Sequence, residues 1–186
     1  TQGKELGIYL YIYTGGEPLV RKKDLIALCE KHSDAAFLSF TNATLIDEEF
    51  CQDMLRVGNF VPAISLEGFE EATDSRRGAG TYQAVMGAMQ VLKEHKLPFG
   101  ISCCYTRQNV EVIGSEAYFD QMIAWGAKFC WFFTCPAYGP SRPPTPEQLE
   151  AIHRRVKAFR KTEPLLTLDF WDGPGISEAA PQGGKT

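Results

Sequence analysis

No apolar run in this chain of 186 residues approaches the roughly 20 that a membrane helix needs. The opening TQGKELG lacks the basic-then-apolar pattern of a signal peptide. Neither sign of charge dominates: 19 Lys and Arg against 23 Asp and Glu give a formal charge of -4, which offers no footprint for nucleic acid or an anionic membrane. No C-x-x-C pair occurs among Cys29, Cys51, Cys103, Cys104, Cys130 and Cys135, so no local zinc or iron–sulfur site is expected. The cysteines read instead as small buried hydrophobes of a reducing cytoplasm. Cys130 and Cys135, five apart across a strand end, leave a redox or ligand role open. There is no initiator Met, as expected of a processed chain or one cut from something longer. With 44% hydrophobic and 12% aromatic residues the chain is not disordered, and its length suits one domain with a real core.

What is present alternates in kind. The segments 6–13, 35–40, 61–67, 98–106, 127–134 and 165–171 are short, nearly continuous apolar runs rich in aromatic and branched residues. Such runs predict strands buried on both faces, as in parallel sheets. Amphipathic stretches over 20–32, 47–57, 81–96, 115–125 and 146–161 predict helices between them. The last has a plain start signal, with Thr145 as N-cap, Pro146 in the first helical position and Gln148 completing a capping box. Strand and helix thus alternate five times before a last strand. This implies right-handed crossovers and either a doubly wound sheet or a partial (β/α) barrel, since a full eight-fold barrel takes about 250 residues. The expected division is a core over 1–172 and a flexible Gly/Pro-rich tail over 173–186. The final GGKT looks like the end of a phosphate loop, but Ala179 stands where that loop needs its leading glycine.

Ligands of both architectures bind at the C-terminal ends of the strands. The first strand runs into Gly15-Gly16-Glu17-Pro18. Two glycines let a ligand approach the backbone, and a carboxylate beside them can accept charge-assisted bonds from an ammonium group. Phosphate would be repelled by Glu17. These residues alone leave two readings open: a pocket for the zwitterionic end of an amino acid, or a glycine-rich turn whose acid favours the helix dipole.

The ordered set of motifs resembles the radical S-adenosylmethionine (SAM) superfamily. GGEP resembles its motif for the SAM amino group, FTNATLI (40–46) its Thr-Asn-Gly stretch, ISLEG (64–68) with TDSRRGAGTY (73–82) its next strand and Asp-x-x-Arg-Gly, and YTRQN (105–109) the end of the strand after that. The resemblance covers roughly residues 6 to 140. It implies a partial (β/α) barrel of parallel strands in which Gly15, Gly16, Glu17 and Pro18 hold the SAM amino group. It further implies Ser65 and Arg77 on the carboxylate, Glu67 near the ribose, Asn42 on the pocket floor, Ile101 and Cys103 as an apolar wall for adenine, and backbone contacts from the turn at 134–137.

The family's C-x-x-x-C-x-x-C loop, whose three thiolates hold a [4Fe–4S] cluster, is absent from these 186 residues. Ala43 replaces a usual glycine. The resemblance therefore implies an N-terminally truncated core with no metal ligands of its own. The intact parent would use SAM and the cluster to make a 5′-deoxyadenosyl radical for hydrogen abstraction, whereas this chain alone would be inactive. The alternatives are a non-catalytic α/β module binding SAM or another amino acid derivative, and a scaffold fragment with no ligand. Catalytic residues and substrate stay unassigned. Trp131, Phe132, Phe133, Tyr138 and Trp171 could line a substrate cavity or simply fill the core.

Overall fold

A computed structural model describes residues 2–135 and 142–170. Six parallel strands pair strictly in chain order: β1 (Leu10–Tyr13), β2 (Ala36–Thr41), β3 (Phe60–Ser65), β4 (Gly100–Tyr105), β5 (Phe129–Thr134) and β6 (Leu166–Phe170). A doubly wound sheet reverses direction at a switch point. This order never does, so every crossover turns the same way and the sheet curls into half of a (β/α) barrel.

The helices begin with a short α1 (Gln2–Glu5). A 3-10 turn (Pro18–Arg21) then leads into α2 (Lys22–Lys31), followed by α3 (Glu48–Val57), α4 (Glu70–Arg77) and α5 (Thr81–Glu94). α6 (Val110–Ile113), α7 (Glu116–Trp125) and α8 (Pro146–Thr162) complete the set. α1, α4 and α6 were not expected. α4 is almost wholly polar, EEATDSRR, with Thr73 its one buried residue, so it carries no apolar stripe to read. The capping box on α8 is as expected: Thr145 accepts from the Gln148 N–H and Gln148 reaches back to Thr145. Among the described residues no helix is long and apolar enough to cross a membrane.

The strands alternate between two layers. Phe37, Phe60, Ile64, Ile101, Cys103, Tyr105 and Phe132 join Val85, Leu92, Tyr118, Phe119 and Ile152 in one core between sheet and helices. The opposite, concave face carries Phe40, Ala63, Ser65, Gly100, Ser102, Cys104, Trp131 and Phe133, in step across the register. β1 is an edge strand with its far side open, leaving Leu10 53% and Ile12 40% exposed. The sequence-based expectation of burial on both faces fails there for that reason.

Candidate functional site

Two polar corners lie where the strands end. The first is built around Glu17. Gly15 sits at φ +118, which only glycine adopts without strain, and nothing lies within 4 Å of a Cβ built on Gly15 or Gly16. Pro18 opens the 3-10 turn, its fixed φ suiting the first position. Glu17 caps that turn: Oε1 accepts from the Leu19 N–H at 2.9 Å and from the Thr41 hydroxyl at 2.7 Å. Oε2 accepts from the Asn42 N–H at 2.8 Å. The carboxylate thus ties the loop after β1 to the loop after β2. Three donors occupy it, and a carboxylate has about four acceptor positions, so one remains. The Asn42 side chain turns back on its own loop, accepting from the Thr44 N–H and hydroxyl at 3.0 and 2.8 Å.

The second corner is built around Glu67, just beyond β3 and only 1% exposed. Arg76 Nη1 donates to Oε2 at 2.6 Å; Arg77 donates to Oε1 through Nε at 3.0 Å and Nη2 at 2.5 Å. The Cys104 N–H adds a longer bond at 3.3 Å. Two guanidinium groups against one carboxylate leave one positive charge over. Burial works against the Arg76 charge, but the Glu67 carboxylate and the Cys104 side chain outweigh it and raise its pKa; Nη1 also donates to the Cys104 carbonyl at 3.3 Å. α4 delivers both arginines. Thr73 receives the Glu67 N–H and donates to the Gly68 carbonyl, so the helix folds back on the strand it follows. Asp74 then accepts from the Gly80 and Tyr82 N–H groups at 2.7 and 2.8 Å and fixes the start of α5. Asn109 closes the corner by donating to the Glu67 and Cys104 carbonyls while its Oδ1 accepts from Thr106.

Gly15, Gly16, Glu17, Pro18 and Asn42 therefore lie together at one corner, with Glu67 and Arg77 at another and half-buried Ser65 on the concave face beside the latter. One expectation needs correction. Ile101 and Cys103 are fully buried and face the helices, where Cys103 Sγ lies 3.5 Å from the Tyr118 hydroxyl; they offer no wall to a ligand on the concave face. Both Glu67 oxygens are taken by the arginines. Cys130 meets Cys103 at 3.9 Å rather than Cys135, which follows the end of β5. Pro136, Ala137, Tyr138, Trp171 and the tail 173–186 lie outside the described residues. Thr41, Asp74, Arg76 and Asn109 were missed as site-builders. For all four a signal existed: Thr41 lies within FTNATLI, Asp74 and Arg76 within TDSRRGAGTY, and Asn109 at the end of YTRQN.

A profile of the Radical SAM superfamily matches residues 1–113. This chain belongs to the radical SAM superfamily. Among curated proteins it is 32% identical over 117 residues to an Fe-coproporphyrin III synthase of Methanosarcina barkeri, covering 61% of this chain and 29% of that protein. It is 29% identical over 112 residues to the AdoMet-dependent heme synthase of the same organism, covering 58% and 32%. The chain thus spans about a third of the length of these relatives. The structure of Streptococcus suis SuiB bound to S-adenosylmethionine shares the fold, with a TM-score of 0.74 at 18% identity, covering all of this chain and 44% of SuiB.

Proposed function

We propose that this half-barrel is the SAM-binding part of a radical SAM enzyme, with SAM lying along the strand ends between the two corners. The observation that carries this is the pairing of opposite needs on one sheet edge. An open glycine pair and one free acceptor position on Glu17 suit an ammonium group. The surplus positive charge over Glu67 suits a carboxylate. Arg77 uses Nε and Nη2 on Glu67, which leaves Nη1 for that carboxylate, and Ser65 lies on the same face. Glu67 then acts by holding Arg77, and Thr41 by holding Glu17. Asn42 contributes its backbone to the Glu17 corner. Given an electron from a [4Fe–4S] cluster, SAM held here would supply a 5′-deoxyadenosyl radical able to take a hydrogen atom from a substrate. The [4Fe–4S] cluster that the family implies is a different matter. Among the described residues no group of three or more His, Cys, Asp or Glu side chains could hold a metal ion, so these residues do not fit it.

Gly16 gives the sharpest test, because a methyl group there meets nothing and its φ is unstrained. Gly16→Ala should keep or slightly raise thermal stability yet weaken SAM binding at least tenfold by calorimetry, about 1.4 kcal/mol. Arg77→Gln should weaken it comparably. No binding by the native chain, or equal affinity in all three proteins, would sink the reading.

A further inference from the structure

The two arginines of the Glu67 corner are used differently. A guanidinium meets a carboxylate best through the fork formed by Nε and one Nη, which makes two parallel bonds. Arg77 has its fork occupied, since Nε and Nη2 both fall on Glu67 Oε1. Arg76 does not. Its Nη1 alone serves Glu67 Oε2 and the Cys104 carbonyl, at 2.6 and 3.3 Å. No oxygen acceptor among the described residues takes its Nε or Nη2. The group beside it is the Cys104 thiol, a weak acceptor. The carboxylate that Arg76 holds is 1% exposed, yet Arg76 itself keeps 32%. Glu67 thus acts as a positioning residue that grips Arg76 by Nη1 and leaves the fork open. The strip below it is polar as well. Cys104 stands on the concave face one pleat beyond Ser102, and Ser102 lies in register with Ser65. Both serines are half-buried, and neither hydroxyl has a partner among the described residues.

We infer that Arg76 binds a carboxylate of the substrate, side-on through Nε and Nη2 at the end of β4, while Arg77 serves the cofactor. The words substrate and cofactor rest on the reading given under Proposed function; the open fork does not. Charge says what the fork is for. The two corners hold two carboxylates, Glu17 and Glu67, and two guanidinium groups, Arg76 and Arg77. SAM brings an ammonium, a sulfonium and one carboxylate, so the loaded site keeps one positive charge over. A second carboxylate on the Arg76 fork cancels that charge. A neutral group leaves it unmet. A phosphate near its dianionic form carries more charge than the site can balance, and would lie against Glu67.

The test uses the full chain labelled with nitrogen-15. It reads the Nε–H signals of Arg76 and Arg154, assigned through bonds from their own backbone amides, and the Cys104 amide. Propionate, as the carboxylate probe, should move the Arg76 and Cys104 signals saturably. It should bind there at least threefold more tightly than at Arg154, which is 71% exposed on α8. Propionamide should move neither, and phosphate should bind more weakly than propionate. Arg76→Lys keeps the charge and removes the fork. It should keep a native amide spectrum and weaken propionate binding, read at Cys104, at least threefold. Should it fail to fold, Arg76→Gln, which leaves Glu67 with Arg77 alone, makes the same measurement. A propionate response that is absent, equal at Arg154, matched by propionamide, weaker than that of phosphate, or unchanged in the variant overturns the inference. SAM is then added and followed at the Gly15 and Gly16 amides. Propionate should stay bound beside it, at the same affinity or tighter. Displacement of propionate by SAM would give the fork to the cofactor's own carboxylate and overturn the inference too. No SAM response with propionate still on Arg76 removes the cofactor reading and leaves the carboxylate site standing. N-acetylglycine run beside propionate separates the carriers: tighter binding of the first points to the end of a peptide, and of the second to an acid on an alkyl chain.

Discussion

Glu17 and Glu67 occupy similar places, each just past a strand at the same edge of the sheet, yet they are held by opposite means. Glu17 is half-buried and satisfied by neutral donors, two backbone N–H groups and one hydroxyl. Glu67 is sealed off from water and satisfied chiefly by two guanidinium groups. Neutral donors can fall back on water when their acceptor goes. Charges packed over a buried partner cannot. The first corner is therefore a joint that a ligand can lean on, and the second is a charge balance that everything around it depends on.

Breaking the charge balance should have the largest effect. Glu67→Gln leaves Arg76 and Arg77 facing each other with no counter-charge. Breaking a buried pair typically costs 3–5 kcal/mol. Here the guanidinium groups keep 32% and 27% exposure, so the low end, about 3 kcal/mol by urea unfolding, is expected. Adding Arg77→Met to that variant should recover part of the loss, since the two sites share a partner. A cost below about 1 kcal/mol would erase the contrast between the corners.

The helices behind the Glu17 corner carry a second sensitivity. Burial pushes the Cys29 and Cys51 thiols up to about 11, and at Cys51 the nearby Glu48 and Asp47 charges add to it. The unfolded chain ionises its thiols near pH 9.0, the ordinary value from which these two are raised. Both thiols thus favour the folded state fully below that pH, and their contribution falls as pH climbs until it is gone above about 11. Each is worth up to about 1.4 kcal/mol per pH unit in that window. Moving from pH 7 to pH 9.5 should cost about 2 kcal/mol in urea unfolding. Cys29→Ala combined with Cys51→Ala should start less stable at pH 7 and lose less on the way up. A native chain equally stable at both pH values would contradict this.

At the first corner the effect should be smaller. Glu17→Gln keeps one acceptor oxygen but turns an amide N–H₂ toward Thr41 or Asn42. The loss of a neutral hydrogen bond amounts to about 1 kcal/mol. A Glu17→Gln cost equal to that of Glu67→Gln would show that burial, rather than the kind of partner, sets the difference.

The sequence made the joint visible but not its fastening. GGEP marks the turn, yet two of the three donors to Glu17 come from Thr41 and Asn42, 24 and 25 residues away. TDSRRG likewise flagged Arg77, but not that Asp74 would cap the next helix or that both arginines would fall on Glu67. The order of strands and helices was legible because each type has its own period. Which face of β4 looks at the pocket was not. In GISCCY both faces are apolar or small, so nothing in the pattern fixes the parity, and a one-residue error moves every side chain to the other side. That is how Ile101 and Cys103 were expected on the concave face, where Ser102 and Cys104 stand instead.

The smallest effects concern two non-glycine residues with left-handed backbones, Ala43 at φ 62 and Lys96 at φ 55. Each bears the crowding of Cβ against its own carbonyl, roughly 1–2 kcal/mol, which glycine would relieve. Glycine also gains freedom in the unfolded chain, at a cost of about 0.4–1 kcal/mol. The two sites differ in what else is lost. Lys96 is exposed, so Lys96→Gly should stabilise by about 0.5 kcal/mol. Ala43 is wholly buried beside the Glu17 joint, and removing its methyl forfeits a further 0.8 kcal/mol or so. Ala43→Gly should therefore leave stability nearly unchanged. A clear gain at Ala43 alongside none at Lys96 would mean that the methyl is poorly packed, and that the loop carrying Asn42 is strained by more than its backbone angle shows.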